Sequence, residues 1–247
     1  MIRIERAMKI FGKTIAVNDL NLQIEKGLFF GFLGQNGAGK TTTIKMMTGL
    51  LRPTKGRILI DGMDVQENPV QVKRKIGYVP DNPYIYEKLT GREFLRFIGG
   101  LFEMDESKQE ERIDWLLNMF QMQSMADRRT EEYSHGMRQK IVMSSAILHE
   151  PDIIIVDEPM VGLDPQSGRL VKDILKKLSQ RGTTIFMSSH SLSVVEELCD
   201  RIGIIKEGKL IALGSLEELS QLAKSHHETL EELFLELTGG HIDAVLI

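Results

Sequence analysis

The stretch LFFGFLGQNGAGKTTTIKMMTGLL, residues 28–51, leaves this chain little choice of fold. Residues 28–34 are apolar or glycine and read as a buried strand running into a glycine-rich turn. Residues 40–51 have helical spacing. Between the two stands G-x-x-x-x-G-K-T, from Gly34 to Thr41, and it is the strand before and the helix after that give such a motif meaning. Glycines let the backbone curl until its N–H groups point inward at an anion, and the helix N-terminus adds partial positive charge. The arrangement suits a triphosphate. Gly34, Gln35, Asn36, Gly37, Ala38, Gly39 and Thr42 supply the cradle, Lys40 reaches the β- and γ-phosphates, and the Thr41 hydroxyl ligates Mg²⁺. This is a P-loop. The bland alternative is a glycine-rich turn that binds nothing.

An acidic partner downstream weighs against that alternative. The run IIIVDEPMVGLD, Ile153 to Asp164, is a buried-looking strand that ends on two adjacent carboxylates. In a P-loop fold such a strand is expected to lie beside the P-loop strand. Asp157 then holds Mg²⁺ directly or through water. Glu158, one residue beyond the strand end, is placed to polarise a water for attack on the γ-phosphate.

The rest of the chain organises around this pair. Residues 2–24 alternate between apolar and polar and predict an antiparallel sheet. GRILIDG (56–62) closes a short strand with Asp-Gly, a hairpin signal. From about residue 84 the character turns helical. Thr90-Gly91-Arg92-Glu93 is a capping-box pattern. Phe94, Phe97, Ile98, Leu101 and Phe102 follow at helical spacing, as do Ile113, Leu116, Leu117 and Phe120 in a second helix, and a third runs from Ser134 to about His149. Strands return at 152–158, 183–190 and 201–214, with helices at 165–180 and 191–199 between them. The expected class is α/β: a P-loop core with a mostly parallel sheet, an N-terminal antiparallel β subdomain and an inserted all-helical subdomain. The expected boundaries are 1–83 with 150–215 for the core, 84–149 for the helical insertion and 216–247 for a helical C-terminal extension, with Leu230, Leu233, Phe234 and Leu237 on one stripe.

A P-loop alone does not choose among kinases, GTPases, helicases and transport ATPases. An Asn-Lys-x-Asp element for reading guanine is missing from the sequence. Four further features decide. YSHGMRQK (133–140) opens the third helix of the insertion, with Ser134 as N-cap and Gly136 letting a phosphate approach the backbone. VGLDP (161–165) follows the acid pair. His190 ends a strand in SSHSL. Phe11, in KIFGK, offers a flat ring for adenine. Singly, each has a plain structural explanation: a helix cap, a helix start with Pro in the first turn, a polar residue at a strand end, a core aromatic. Together, in this order and spacing, they resemble the ATP-binding cassette family over roughly residues 2–220. That resemblance implies a head-to-tail dimer in which each ATP lies between the P-loop of one copy and the Ser134–Gly136 turn of the other. It also implies Glu158 as catalytic base, His190 at the γ-phosphate, Asp164 linking the two sites and Phe11 with Val17 as adenine platform.

Two departures stand out. Asp81, in GYVPDNP, occupies the place where the family usually has a glutamine that can ligate Mg²⁺, so Asp81 is a candidate metal ligand that brings a negative charge with it. The signature turn carries Tyr133, His135 and Met137 where Leu, Gly and Gln are usual, while Ser134 and Gly136 are kept.

Charge and composition bear on partners. The formal net charge is −4, which disfavours a phosphate-backbone partner, so no nucleic acid is expected. Cys199 is the only cysteine, in keeping with a reducing compartment. No stretch reaches the ~18 apolar residues needed to cross a bilayer, and the first residues show no signal-peptide pattern. The resemblance then implies the ATPase subunit of a membrane transporter, cytoplasmic and peripheral on the inner face of the membrane, paired with an integral membrane permease and with an identical or different second ATPase. The end LEELFLELTGG (230–240) resembles ATPases of ABC-2 type exporters. The rival readings are a soluble ATPase of the same type acting on nucleic acid or ribosomes, and a non-hydrolysing regulatory scaffold.

Overall fold

The computed structural model describes residues 1–225 together with 231, 232, 234 and 235. The N-terminal strands β1 (Ile2–Phe11) and β2 (Thr14–Ile24) form an antiparallel hairpin. β3 (Phe29–Leu33) runs into the glycine turn and helix α1 (Lys40–Met47). β4 (Lys55–Ile60) and β5 (Met63–Asp64) close over Asp61 and Gly62, both at positive φ, as the Asp-Gly signal predicts. The order β2-β1-β4-β5 makes one four-stranded antiparallel sheet.

A short helix that the sequence pattern did not announce, α2 (Pro69–Lys75), leads into β6 (Ile76–Val79). The helical insertion follows with α3 (Gly91–Leu101), α4 (Glu106–Met119) and α5 (His135–Ile147). The capping box at the start of α3 is complete: Glu93 N–H donates to Thr90 Oγ1 at 3.1 Å, and Thr90 N–H donates to Glu93 Oε2 at 2.8 Å. The apolar stripe of α3 is only partly used. Phe94 is buried, whereas Phe97 and Leu101 face outward, Leu101 with 64% of its surface exposed. The chain then builds β7 (Ile153–Asp157), α6 (Pro165–Gln180), β8 (Thr184–Ser189), α7 (Leu192–Leu198), β9 (Arg201–Lys206), β10 (Lys209–Ser215) and α8 (Leu216–Ser225). Of the tail stripe, Phe234 is buried; Leu230, Leu233 and Leu237 lie outside the described residues.

The second sheet has the order β10-β9-β3-β8-β7-β6, parallel except for β10. Its central strands β3, β8 and β7 are buried along their whole length, which is why β3 and β7 read as apolar runs. On β7, Ile153 and Ile155 enter one core with α1 and the antiparallel sheet, while Ile154 and Val156 enter the other with the helical insertion. β3 divides likewise, with Phe30 and Phe32 on one side and Phe29 and Leu33 on the other. Gly31 sits between them because a Cβ there would fall 2.7 Å from Val195 and 2.8 Å from the Cys199 sulfur. Cys199 is therefore a packing residue, and burial pushes its thiol pKa far up.

One expectation is corrected here. β7 does not lie beside β3: β8 is inserted between them, paired in parallel register with both. Pairing between strands far apart in sequence is decided by how the crossover helices pack, and local pattern does not carry that information.

Candidate nucleotide site

The inserted strand explains how the carboxylates are held. In the β7–β8 register Asp157 faces Ser188 and in the β3–β8 register Leu33 faces Ser189, so the ends of all three strands converge below the P-loop. The Ser188 hydroxyl donates to Asp157 Oδ1. Glu158 N–H donates to Ser188 Oγ at 3.1 Å and to the Ser188 carbonyl at 3.3 Å. Those two bonds hold Glu158 at φ +49°, a left-handed conformation that is uncommon for a residue other than glycine. Ser188 was missed in the sequence. Its signal was a polar residue at the end of an otherwise apolar strand.

Above the strand ends the P-loop is shaped by what its glycines leave out. Gly39 stands at φ +109° as the N-cap of α1, and a Cβ there would lie 2.5 Å from the Ala16 carbonyl. A Cβ at Gly34 would lie 2.6 Å from the Ile205 carbonyl. The loop is tied from outside by the β9–β10 turn, where Gly208 N–H donates to the Ala38 carbonyl at 2.8 Å. The resulting cavity, about 220 Å³, is lined by Ala16, Asn36, Gly37, Gly39, Lys40, Thr41, Thr42, Asp81 and Glu158. A smaller cleft beside it takes in Gln35 and Ala38 with the β9–β10 turn.

Lys40 lies in this cavity with only 6% of its side chain exposed. Its ammonium donates to the Gly34 carbonyl at 2.7 Å and to the Gln35 carbonyl at 3.2 Å, and pairs with Glu158 Oε1 at 3.2 Å. Glu158 Oε2 in turn meets His190 Nδ1 at 2.9 Å. Lys40, Glu158 and His190 thus form one chain of contacts, although residues 40 and 190 are remote in sequence.

Asp157 is fully buried. Burial pushes its pKa above the usual carboxylate range; bonds from Ser188 and Thr41 oppose that, and the charges of Asp81 and Glu158 add to it. Its Oδ2 is buried without a hydrogen-bond partner. An orphaned carboxylate oxygen with the Thr41 hydroxyl next to it fits a small hard cation. Among the described residues no cluster of three or more His, Cys, Asp or Glu exists that would cage a metal by itself. Mg²⁺ is a small hard cation that keeps waters and takes substrate phosphate in addition to one or two protein ligands.

The raised pKa has a consequence for stability. The folded state binds the Asp157 proton more tightly than the unfolded chain does, so stability falls as pH rises from about 4 through the folded pKa. Asp157→Asn removes that penalty. In the absence of nucleotide and divalent metal, it should melt higher than wild type at pH 7. The gap should shrink toward pH 4. An equal or lower melting temperature at pH 7, read by circular dichroism, would contradict the account.

Other predicted residues are placed apart from this cavity. Phe11 ends β1 with 48% of its surface exposed and Lys9 Nζ 5.1 Å from its ring centre; it does not line the P-loop cavity. Val17 is a correction. Strand alternation turns it inward, it is fully buried in the same core as Ala38, and it offers no surface to a base. Ser134 caps α5, accepting from Met137 N–H at 3.3 Å. Asp164 caps α6, accepting from Ser167 N–H at 2.9 Å, and the Ser167 hydroxyl together with that N–H holds its pKa low. Ser134, Gly136 and Asp164 share none of the P-loop cavity. They gather instead in one place, since a Cβ on Gly136 would come within 3.6 Å of Leu163 and 4.0 Å of Asp164 Oδ2.

The unusual signature residues are accommodated. Tyr133 is buried and its hydroxyl donates to the Met125 carbonyl at 2.6 Å, satisfying the polar end of a ring that fills an apolar slot. Met137 packs at the edge of the core.

A parallel sheet with a phosphate loop after β3, an acid pair at the end of β7 and an all-helical insertion defines the class of P-loop ATPases with a cassette architecture. Comparison with known proteins narrows this. Residues 17–161, more than half of the chain, match the family model for the ABC transporter family. The chain is 41% identical over 87% of its length to an uncharacterized ABC transporter ATP-binding protein of Nostoc sp., and it spans 64% of that protein's own length. It is 38% identical to the ABC transporter ATP-binding protein NatA of Bacillus subtilis, with 89% of each chain covered. It is 34% identical to the Nod factor export ATP-binding protein I of Cupriavidus metallidurans, covering 89% of this chain and 72% of that one. Among solved structures, an ATP-binding subunit of an ABC transporter superposes with a TM-score of 0.90 at 31% identity, covering 96% and 99% of the two chains. The cassette MJ0796, in a dimeric post-hydrolysis state bound to ADP and Pi, gives 0.81 at 25% identity, covering 87% and 99%. This chain belongs to the ABC transporter family, as an ATP-binding subunit.

Proposed function

We propose that this chain hydrolyses ATP to drive a membrane exporter, working as one half of a head-to-tail ATPase dimer. The observation that carries the reading is the Glu158 carboxylate standing between Lys40 and His190 at the mouth of the P-loop.

The P-loop amides from Gly34 to Thr42 and the Lys40 ammonium bind the β- and γ-phosphates. Thr41 and Asp157 would hold Mg²⁺, directly or through water, with Asp81 as a further ligand from the cavity wall; bound there, Mg²⁺ would supply positive charge against the phosphoryl oxygens. When phosphate draws Lys40 away, Glu158 is free to take a proton from the attacking water. His190, held through Nδ1 by Glu158, has Nε2 left to meet the γ-phosphate. Phe11 stacks on the adenine; Val17 supports that region from inside the core. The second wall of the site comes from the Ser134–Gly136 turn of another copy, and Asp164, beside that turn, reaches toward the same junction. The separation of these three residues from their own P-loop, and the dimeric form of MJ0796, support this.

Coupling to a permease rests on a different surface. An apolar cleft of about 340 Å³ lies between the core and the helical insertion, lined among others by Leu50, Ile76, Ile98, Phe102 and His149. His149 stacks on Phe102, and burial lowers its pKa to about 4, so it presents a neutral ring there. Tyr84 and Tyr86, on the loop after Asp81, are exposed nearby in sequence. No helix among the described residues is long and apolar enough to cross a membrane. This reading assigns the docking of a membrane subunit to the apolar cleft. The name of the Nod factor relative supports export as the direction.

The reading predicts Mg²⁺-dependent ATP hydrolysis by the purified chain. It also predicts that in cells the chain sediments with membranes and is released by an alkaline wash, as a peripheral subunit would be. A chain that stays in the soluble fraction and co-purifies with RNA would favour the soluble alternative.

A further inference from the structure

The loop from Glu158 to Asp164 is fixed at both ends. Glu158 is bound to Ser188, and Asp164 caps α6. Its middle bulges outward, with Val161 half exposed. There it meets α5. His135, the first residue of that helix, places Nε2 3.3 Å from the Val161 carbonyl. Its ring lies flat against Gly162, at φ +73°, where a Cβ would fall 2.8 Å from Cδ2 and 2.9 Å from Nε2 of the imidazole. Two independent features therefore fit together: a donor aimed at a carbonyl, and a glycine whose missing side chain is the space the ring occupies. α5 itself is firmly held. The Tyr133 hydroxyl is bound just before it, Arg138 Nε donates back to the Tyr133 carbonyl at 3.2 Å, and Ile141 and Met143 are buried in the core.

We propose that His135 is a positioning residue that latches the Glu158–Asp164 loop to the signature turn of the same chain. Val161 N–H donates to the Glu158 carbonyl at 3.2 Å, so fixing Val161 fixes the backbone that carries the base. Ser134 and His135 are adjacent. A phosphate bound at Ser134 by a second copy therefore bears on the same firmly held helix tip that steadies Glu158 over this chain's own nucleotide. The latch ties occupancy of one site to the rate at the other. This rests on the composite site proposed above.

The test uses the full chain, with ATP hydrolysis followed against ATP concentration. His135→Ala is expected to lower kcat about tenfold, the rate equivalent of about 1.4 kcal/mol, with KM within twofold. The Hill coefficient should fall from about 2, the number of coupled sites, toward 1. His135→Gln, whose amide N–H can reach the Val161 carbonyl, should recover most of kcat. Wild-type kcat and cooperativity in His135→Ala would overturn the latch, as would a His135→Gln variant no better than the alanine. ATP-induced dimerisation, read by light scattering in a Glu158→Gln background, separates the two ideas. A dimer that forms while His135→Ala leaves kcat unchanged defeats the latch alone; absence of any ATP-induced dimer defeats the composite site and the coupling with it.

Discussion

Glu158→Gln is expected to bind ATP as well as the unmodified chain does and to hydrolyse it about 10²–10⁴ times more slowly, the usual worth of a positioned general base. Glutamine has nearly the same shape. Its backbone N–H still bonds to Ser188, and its carbonyl oxygen can still accept from Lys40 or from a His190 N–H. What is lost is the negative charge opposite Lys40 and, with it, the capacity to accept a proton from water. Lys40 also keeps its bonds to the Gly34 and Gln35 carbonyls, so the cradle stays organised. Single-turnover hydrolysis of radiolabelled ATP, beside equilibrium binding of a fluorescent analogue, separates the two quantities. Turnover within twofold of wild type would remove Glu158 from the chemistry and leave it as a structural anchor for Lys40 and His190.

Ser134→Arg has an effect of similar size by a different route. Ser134 is exposed and lines no part of its own P-loop cavity, so a change there does not touch nucleotide binding by a single chain. Loss of the N-cap costs about 1 kcal/mol, and α5 keeps its Tyr133 and Arg138 braces, so the fold survives. The long side chain at the helix tip then blocks the approach of a second copy. In a Glu158→Gln background, gel filtration with ATP should show a dimer for Ser134 and a monomer for the arginine variant. Steady-state hydrolysis by the arginine variant alone should fall by about two orders of magnitude, since one lost transition-state contact of the oxyanion-hole kind costs that much. A dimer that forms undiminished would place the second wall of the site somewhere other than Ser134–Gly136.

Much of the machinery was legible because it is contiguous. The P-loop is eight consecutive residues between a strand and a helix, and its chemistry depends on local backbone shape. The capping box at Thr90–Glu93, the Asp61–Gly62 turn and the Asp164–Pro165 helix start are likewise local, and each is formed as the residues prescribe. Residues that act through distant partners were read less well. Val17 looked available to a base and is buried; Phe97 and Leu101 looked buried and face outward; Ser188 gave almost no sign of its task. In each case the deciding contact comes from a segment far away in sequence.

The amino-acid order by itself determined that a phosphate loop must form at Gly34–Thr41 and that a buried strand must end at Asp157, because backbone sterics and hydrophobic periodicity act over a few residues. Tertiary structure alone decided that β8 separates β3 from β7, that Lys40, Glu158 and His190 meet, and that His135 rests on Gly162. Those outcomes depend on how helices pack across the two faces of a sheet, a competition among long-range contacts that no short window of residues encodes.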